Sequence, residues 1–597
     1  MTENPGTEKV ENLLKYIDSG AYVIPYFQRG FEWQASMIAD LIESILENYY
    51  AGLLLFWELN TEQASTEKWD PVWGSQLKGS PTMAILDGQQ RLASLYYALY
   101  NPKKTFPNRR SYYLFYLNLK KILHGDFEET IIYRYHLTYQ SWHTIRNNKA
   151  EWIKTDLMPL TILSAKDPTD PKQRYIDSTE FNDFLNEYIR RNKNELPKGT
   201  TTLKIYQIFS SILNYAFVYY PLSSNRALPD ICNIFARVNA KGMKLSTFDL
   251  MNAFLYPKGI KLRKELWEDL NNAQLKEIDA NMNEYLLKLI SLIKQNYCSS
   301  RYIYNLIPGK KIARKDDTGK LYEDILVKDS DEFKSLWSNA YKNAERARQM
   351  IMHTGDGDFG AVKTDFIPNT TIVPVLGAIL WEYKGDVDKV NFKDSLKKWY
   401  WSAVFSEDYS GSSDSVMAKD FRDWKEWIHN KKTVERINRI NDQLINELDL
   451  NSFKKGSSRY NAILCLLAIN GVKDFYKGRI VGLGDFSKEK INDHHIFPKQ
   501  AKGLDPLKCS KFKEHQDSIA NRTLLLDETN GNIRAKRPSQ YIKELIDKHG
   551  SEAKVKSIFL DHLIDDACFD CLKKDDFNKF LIERERAIKQ HILTRLK

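Results

Sequence analysis

The chain begins with short apolar runs set between stretches of helical spacing. Ala21 to Pro25, Leu53 to Leu59 and Met83 to Leu86 have strand length and strand composition. Within Ser36 to Glu47, the residues Ile38, Leu41, Ile42, Ile45 and Leu46 recur at helical period, as do Leu92, Leu95, Tyr96 and Leu99 within Arg91 to Tyr100. Tyr112 to Leu119 reads as a further strand, and 167–172 and 192–202 read as loops. From Asp230 to Asp449 the spacing is mostly helical, with Trp399, Trp401, Trp424 and Trp427 supplying core mass. Lys315 to Lys320 and Asp408 to Ser415 are polar interruptions. An apolar helix is predicted over Tyr460 to Ile469, and the stretch Phe569 to Ile588 reads as helix near the end. These patterns predict an α+β multidomain chain. An α/β domain spans 1–229, a helical coupling region 230–455, and a last domain with a helical tail 456–597.

Charge and cysteines narrow the classes. A net charge of +10 on 597 residues is mild and permits nucleic-acid binding without requiring it. Residues 471–540 are denser in charge, with 14 Lys/Arg against 9 Asp/Glu. Six scattered cysteines do not make a disulfide framework. Cys568 and Cys571, with His562 before them, leave a zinc site conceivable, although a helical reading of that stretch opposes it. No run approaches 18 apolar residues, and the first residues carry no signal-peptide pattern, so no membrane partner and a cytoplasmic location are expected.

The run Asp493-His494-His495-Ile496-Phe497-Pro498 is the only place where two of the eleven histidines are adjacent. Ile496-Phe497-Pro498 reads as a strand that ends at proline. Asn521 follows 26 residues after His495, and Asn530 nine residues later. Asn530-Gly531-Asn532 reads as a turn, and Pro538 can open a helix. Histidine, neighbouring ligand and late amide occur in the order that a one-metal phosphodiesterase needs. The segment resembles the HNH nucleases, whose fold is ββα-metal. The resemblance implies that His495 is the general base and that His494 and Asn530 are metal ligands. It also implies that Asn521 holds the loop and orients His495. Asp493 is an alternative ligand, because it lies beside both histidines. Mg2+ or Mn2+ is expected, with Ni2+ or Zn2+ compatible with a histidine ligand. Arg534, Lys536 and Arg537 are candidates for DNA contact. A structural zinc knuckle is the competing reading, and it lacks ligands because only Cys509 lies nearby.

Three further clusters lie upstream. They are Pro25-Tyr26-Phe27-Gln28-Arg29, Asp87-Gly88-Gln89-Gln90-Arg91, and Phe235-Ala236-Arg237-Val238-Asn239-Ala240-Lys241-Gly242 continuing to Leu245-Ser246. In the second, a strand ends at Asp-Gly and a helix starts at once. Arg91 there either forks onto a phosphate at the helix start or makes a structural salt bridge. No Walker A motif is present. The three clusters together resemble the N-terminal domain of GmrSD-type type IV restriction enzymes, a domain similar to the ParB/sulfiredoxin fold. The fusion to helices and an HNH-like domain also occurs in the SspE and BrxU proteins. The resemblance implies that Gln28, Arg29, Asp87, Gly88, Gln89, Gln90 and Arg91 line an NTP site. Arg237, Asn239, Lys241 and Gly242 either close the pocket or cap a helix. Tyr26, Phe27, Phe31, Trp33 and Trp57 either line a pocket for a modified group or pack in the core.

The expectation is an NTP-regulated, metal-dependent endonuclease of anti-phage defence. Its substrate is modified double-stranded DNA, and it acts as a homo-oligomer or with defence-system partners. The alternatives are a phosphorothioate-sensing SspE-like nuclease and a ParB-like NTP-dependent DNA-binding switch without cleavage.

Overall fold

The computed structural model describes residues 4–66, 68–100, 104–107, 109–166, 168–170, 172–239, 246–268, 273–315, 319–385, 389–411, 413–439, 442–481 and 491–596. The chain divides into two compact units, Met1–Pro257 and Lys258–Lys597.

The first unit is built on strands β1 (Gly6–Lys9), β2 (Tyr22–Pro25), β3 (Leu54–Glu58), β4 (Trp69–Pro71), β5 (Met83–Asp87), β6 (Tyr112–Asn118), β7 (Ile131–His136), β8 (Leu157–Pro159) and β9 (Ala216–Leu222). Six of them form a mixed sheet in the order β1-β9-β3-β5-β2-β4, and β7-β6-β8 form a second, antiparallel sheet. The apolar runs are continuous because both faces of the six-stranded sheet are covered. Tyr22, Ile24, Leu54, Phe56 and Ile85 point to one face, against α1 (Val10–Asp18), α2 (Ala35–Leu46) and α3 (Gln89–Tyr100). Val23, Leu55, Trp57, Ala84 and Leu86 point to the other. That second face is closed by Ile231, Cys232 and Phe235 of α4 (Leu228–Asn239) and by Ala253 of α5 (Thr247–Leu255). The first unit therefore runs on to Pro257, beyond the boundary expected at 229. The two helices read as part of the helical region in sequence, but their apolar sides are spent on the sheet.

The second unit is helical over α6 (Met282–Gln295), α7 (Ser330–Met352), α8 (Val373–Glu382), α9 (Val390–Ser406), α10 (Ser413–Asn430) and α11 (Ser458–Ile469). Trp399 and Trp424 are fully buried there. β10 (Lys311–Lys315) pairs with β11 (Leu321–Ile325) as an antiparallel hairpin, and residues 316–318 of the stretch expected as a loop at 315–320 lie outside the described residues. Next come β12 (Ile491–His495), β13 (Arg522–Leu526) and α12 (Asp527–Ile533), then α13 (Pro538–His549), α14 (Glu552–Asp561), α15 (Asp566–Lys573) and α16 (Phe577–Leu596).

Three expectations change here. The strand ends at His495, so Ile496, Phe497 and Pro498 lie in the bend after it, with Ile496 and Phe497 fully buried. Asn530-Gly531-Asn532 lies inside α12 and is not a turn. Asp474, fully buried, accepts from the Leu526 N–H (3.1 Å) and the Thr529 hydroxyl (2.5 Å) and so fixes the start of that helix. The stretch 569–588 breaks before Phe577, with Asp575 at φ 49°. The Asp575 carboxylate accepts from Ser539 N and Oγ in the first turn of α13.

Candidate functional site

β12 and β13 pair antiparallel with His495 opposite Arg522 and His494 opposite Thr523, and α12 follows without a gap. Strand, strand and helix thus form a ββα hairpin, and its helix element is α12. Neighbouring residues on β12 point to opposite faces. His494 is 5% exposed, Asn530 of α12 stands beside its ring, and its Nε2 is buried with no hydrogen-bond partner. His495 Nε2 lies 2.9 Å from Asp517 Oδ1. A carboxylate only accepts, so Nε2 carries the proton and Nδ1 keeps its lone pair. Lys499 Nζ (2.6 Å) and Arg522 Nη2 (2.7 Å) hold Asp517 in turn.

Asn521 is fully buried and clamps the bend. Its Oδ1 accepts from Phe497 N (2.8 Å), and its Nδ2 donates to the carbonyls of Phe497 (3.1 Å) and Gln516 (2.8 Å). Asp493 is held by other partners. Its Oδ2 accepts from the Tyr460 hydroxyl at 2.6 Å, and Arg522 Nη1 stands 3.4 Å from its Oδ1.

The charges follow from this packing. Burial, then the neighbouring His495, pushes His494 down to about 4. Burial, then Arg522, also lowers His495 below its ordinary value. For Asp517, burial raises the carboxyl, but Lys499, His495 and Arg522 together bring it down to about 2. At neutral pH the site holds two neutral imidazoles and an ionised carboxylate.

The other sequence candidates divide. Lys536 pairs with Glu544 at 2.7 Å, and Arg537 Nη1 donates to the Gly503 carbonyl at 2.7 Å. Arg534 is exposed at the end of α12, with Nε on the Gly531 carbonyl. His562 meets Thr523 Oγ1 through Nδ1 and the Lys473 carbonyl through Nε2, so neither ring nitrogen is left for zinc. No group of three or more His, Cys, Asp or Glu side chains placed to hold a metal occurs among the described residues. Asp517 was missed in sequence, although it directly precedes the asparagine-rich stretch.

In the first unit the structure brings the first two motif clusters together. Gln28 is 5% exposed and donates to the carbonyls of Ile85 (2.7 Å) and Leu86 (3.2 Å) on β5. Gln89 donates to the Arg29 carbonyl (2.9 Å). Gln90 donates to the Gly30 carbonyl (3.0 Å) and accepts from Glu32 N (2.9 Å). Arg29 pairs with Glu32 at 2.8 Å. Arg91 reaches the carbonyls of Ala51 (2.8 Å) and Leu53 (2.7 Å) and Asp87 Oδ2 (3.0 Å). Three of its five donors are therefore spent within the unit. A Cβ on Gly52 would overlap that guanidinium, and Gly88 turns at φ +93° with Leu54 against its Cα. Gly52 thus makes room for the Arg91 clasp, and Gly88 for Leu54.

The third cluster meets the first through α4 and α5. Phe235 packs edge-on to Phe27, and Asn252 donates to the Phe27 carbonyl at 2.6 Å. Lys241 and Gly242 lie outside the described residues, as do the side chains of Arg237 and Asn239. Phe27, Phe31 and Trp57 are buried in the core. Trp33 instead lines a cavity of about 420 Å3 with Phe106, Arg109, Tyr113 and Tyr133, at the start of α2.

Residues 10–256 match the family model described as GmrSD restriction endonuclease, N-terminal domain. The Uncharacterized protein MJ0686 of Methanocaldococcus jannaschii is 30% identical over 640 aligned residues, covering 98% of this chain and 98% of that protein. The chain belongs to the same family as this archaeal protein, and its first unit is similar to the GmrSD N-terminal domain. The matched span coincides with the first compact unit, which explains why α4 and α5 belong there. The GmrSD match supports an endonuclease of a restriction system, with DNA as substrate. Among the described residues, no helix is long and apolar enough to cross a membrane.

Proposed function

We propose that this GmrSD-family protein is a divalent-metal-dependent DNA endonuclease of anti-phage defence, with an HNH-type hydrolytic site in its second unit. The single observation that carries the reading is the orphaned His494 Nε2 beside Asn530, one residue from an imidazole whose proton Asp517 fixes on Nε2. A buried polar atom without a partner calls for a ligand. His494 and Asn530 would hold a divalent cation: the amide oxygen suits Mg2+ or Mn2+, and the imidazole nitrogen makes Ni2+ or Zn2+ compatible as well. Such a cation, when bound, supplies positive charge against the phosphate oxygens.

His495 Nδ1 takes a proton from water, the water oxygen bonds to phosphorus, and the bridging ester oxygen leaves and takes up a proton from solvent. Asn521 holds the bend after His495, and Asp517 holds the tautomer. Arg534 is the cation best placed for the DNA backbone, since Lys536 and Arg537 are engaged by their own protein. The aromatic cavity around Trp33 suits a modified base on double-stranded DNA.

Nucleotide control belongs to the same reading, with Gln28, Arg29 and 87–91 as its site. A nucleotide phosphate there must draw Arg91 away from Asp87 and from two carbonyls. A homo-oligomer or defence-system partners would act on top of this chemistry. Matched modified and unmodified DNAs, digested with Mg2+ or EDTA and with or without each NTP, test the reading. Cleavage that needs the metal and responds to the modification supports it. Cleavage that survives chelation refutes it, and metal-independent DNA binding alone would favour a ParB-like switch.

A further inference from the structure

The helical part of the second unit holds a cavity of about 720 Å3, within the usual range for small-molecule sites. One wall is a stacked ladder. Tyr297 and Tyr302 lie 4.7 Å apart and 19° from parallel. The Arg422 guanidinium covers Tyr297 at 5.2 Å, and Arg301 covers Tyr302 at 4.6 Å. The sequence gives these groups their places simply. Tyr297 follows the end of α6, Arg301 and Tyr302 sit on the short turn Ser300–Ile303, and Arg422 lies two turns into α10.

The charge balance favours an anion. Asp414 is the only carboxylate among the lining residues, and Lys288 takes it at 2.9 Å. The guanidiniums of Arg301 and Arg422 contact a tyrosine hydroxyl and a backbone carbonyl, and neither pairs with a carboxylate among the described residues. Tyr297 is 43% exposed, although it is packed between two other side chains. Two guanidiniums outside any ion pair among the described residues, set on stacked tyrosines, form a surface suited to phosphates joined to flat rings. An acidic peptide would use the charges and leave the stack without a role.

We propose that this cavity binds a nucleoside phosphate, either as a free nucleotide or as a unit of a single strand. Arg301 and Arg422 take phosphate oxygens, and the base enters the tyrosine ladder in place of a guanidinium. The site shares no residue with the hydrolytic centre or with residues 87–91, so it stands or falls independently of the proposed function.

The test is calorimetric titration of the full chain with ATP, GTP and a short oligothymidylate at low salt. Wild type is expected to bind at least one of them. Arg301→Gln with Arg422→Gln should weaken that binding by about tenfold or more, since two charge-assisted phosphate contacts are lost. Tyr297→Ala should weaken it by roughly tenfold through lost stacking. The Arg301→Lys, Arg422→Lys chain should recover part of the affinity, and equal melting temperatures should show that each variant folds. Binding of the oligomer alone identifies a strand site, and for it the double Gln variant should lower the salt slope by about 1.4. Binding of free nucleotide alone identifies a regulatory site. The proposal is overturned if wild type binds none of the three, or if the double Gln variant binds as wild type does. It is also overturned if Asp87→Asn removes the whole signal, or if polyglutamate competes as well as the nucleotide.

Discussion

The two motif clusters that stand out in this sequence have opposite bonding states in the structure. In the first unit, Gln28, Gln89, Gln90 and Arg91 spend their polar atoms on backbone and on Asp87, and so tie β5, α3 and the loop after β2 into one piece. In the second unit, His494 keeps a buried nitrogen unspent, and Asp517 leaves the lone pair on His495 Nδ1. A cluster whose polar atoms are mostly spent on its own protein can do chemistry only by rearranging. A cluster with unspent atoms is already poised for a ligand. Motif density in sequence does not distinguish these cases, because the partners of the first cluster are largely main-chain groups.

Breaking the poised cluster should have the largest effect. His495→Ala removes the proton acceptor without opening the core, and DNA cleavage should fall by about 10²-fold or more with the melting temperature held. Asp517→Ala should cost less, roughly tenfold, because it frees the tautomer and leaves the imidazole in place. Cleavage by His495→Ala at the wild-type rate would place the base elsewhere.

Breaking the clasp in the first unit should instead appear in stability. Arg91→Ala strands two carbonyls and Asp87, and the first unit should lose roughly 2 kcal/mol in denaturant unfolding. The same variant, assayed for NTP turnover, sharpens the comparison. Turnover lost in excess of the stability change would show that the clasp opens for nucleotide. Unchanged turnover with lost stability would make Arg91 purely structural.

A smaller effect separates the poised histidines from a spent one. His562 has both ring nitrogens bonded, and burial, outweighing its bond to the Lys473 carbonyl, pushes it down to about 3. Its folded value lies below its unfolded value. The unfolded chain therefore gains a proton first as pH falls below about 6.5, and stability is lost on the way down to the folded value, by up to about 1.4 kcal/mol per pH unit. Melting at pH 7 and pH 5 should show a shallower pH dependence in His562→Gln than in wild type. Equal slopes would mean that His562 does not stay neutral in the fold.

What could be read in advance followed from local pattern. The runs at 21–25, 53–59 and 83–86 were legible because two-sided burial makes a strand apolar along its whole length. The spacing of His494, His495, Asn521 and Asn530 marked out a segment that the structure folds as two paired strands and a helix. The helix that carries Asn530 was not. Asn-Gly-Asn favours a turn locally, and the cap that overrides it, Asp474, comes from more than fifty residues upstream. Asp517 was missed because its role depends on a hydrogen bond across the hairpin. The extent of the first unit was missed because α4 and α5 have ordinary helical spacing, and only the sheet shows what they cover.

The most direct test of the account is Mn2+ binding, followed by electron paramagnetic resonance on the full chain. The account predicts a bound-metal signal in wild type that His494→Ala and Asn530→Ala both weaken strongly and that Asp87→Asn leaves unchanged. A signal that persists in His494→Ala and Asn530→Ala, or that disappears with Asp87→Asn, would contradict it.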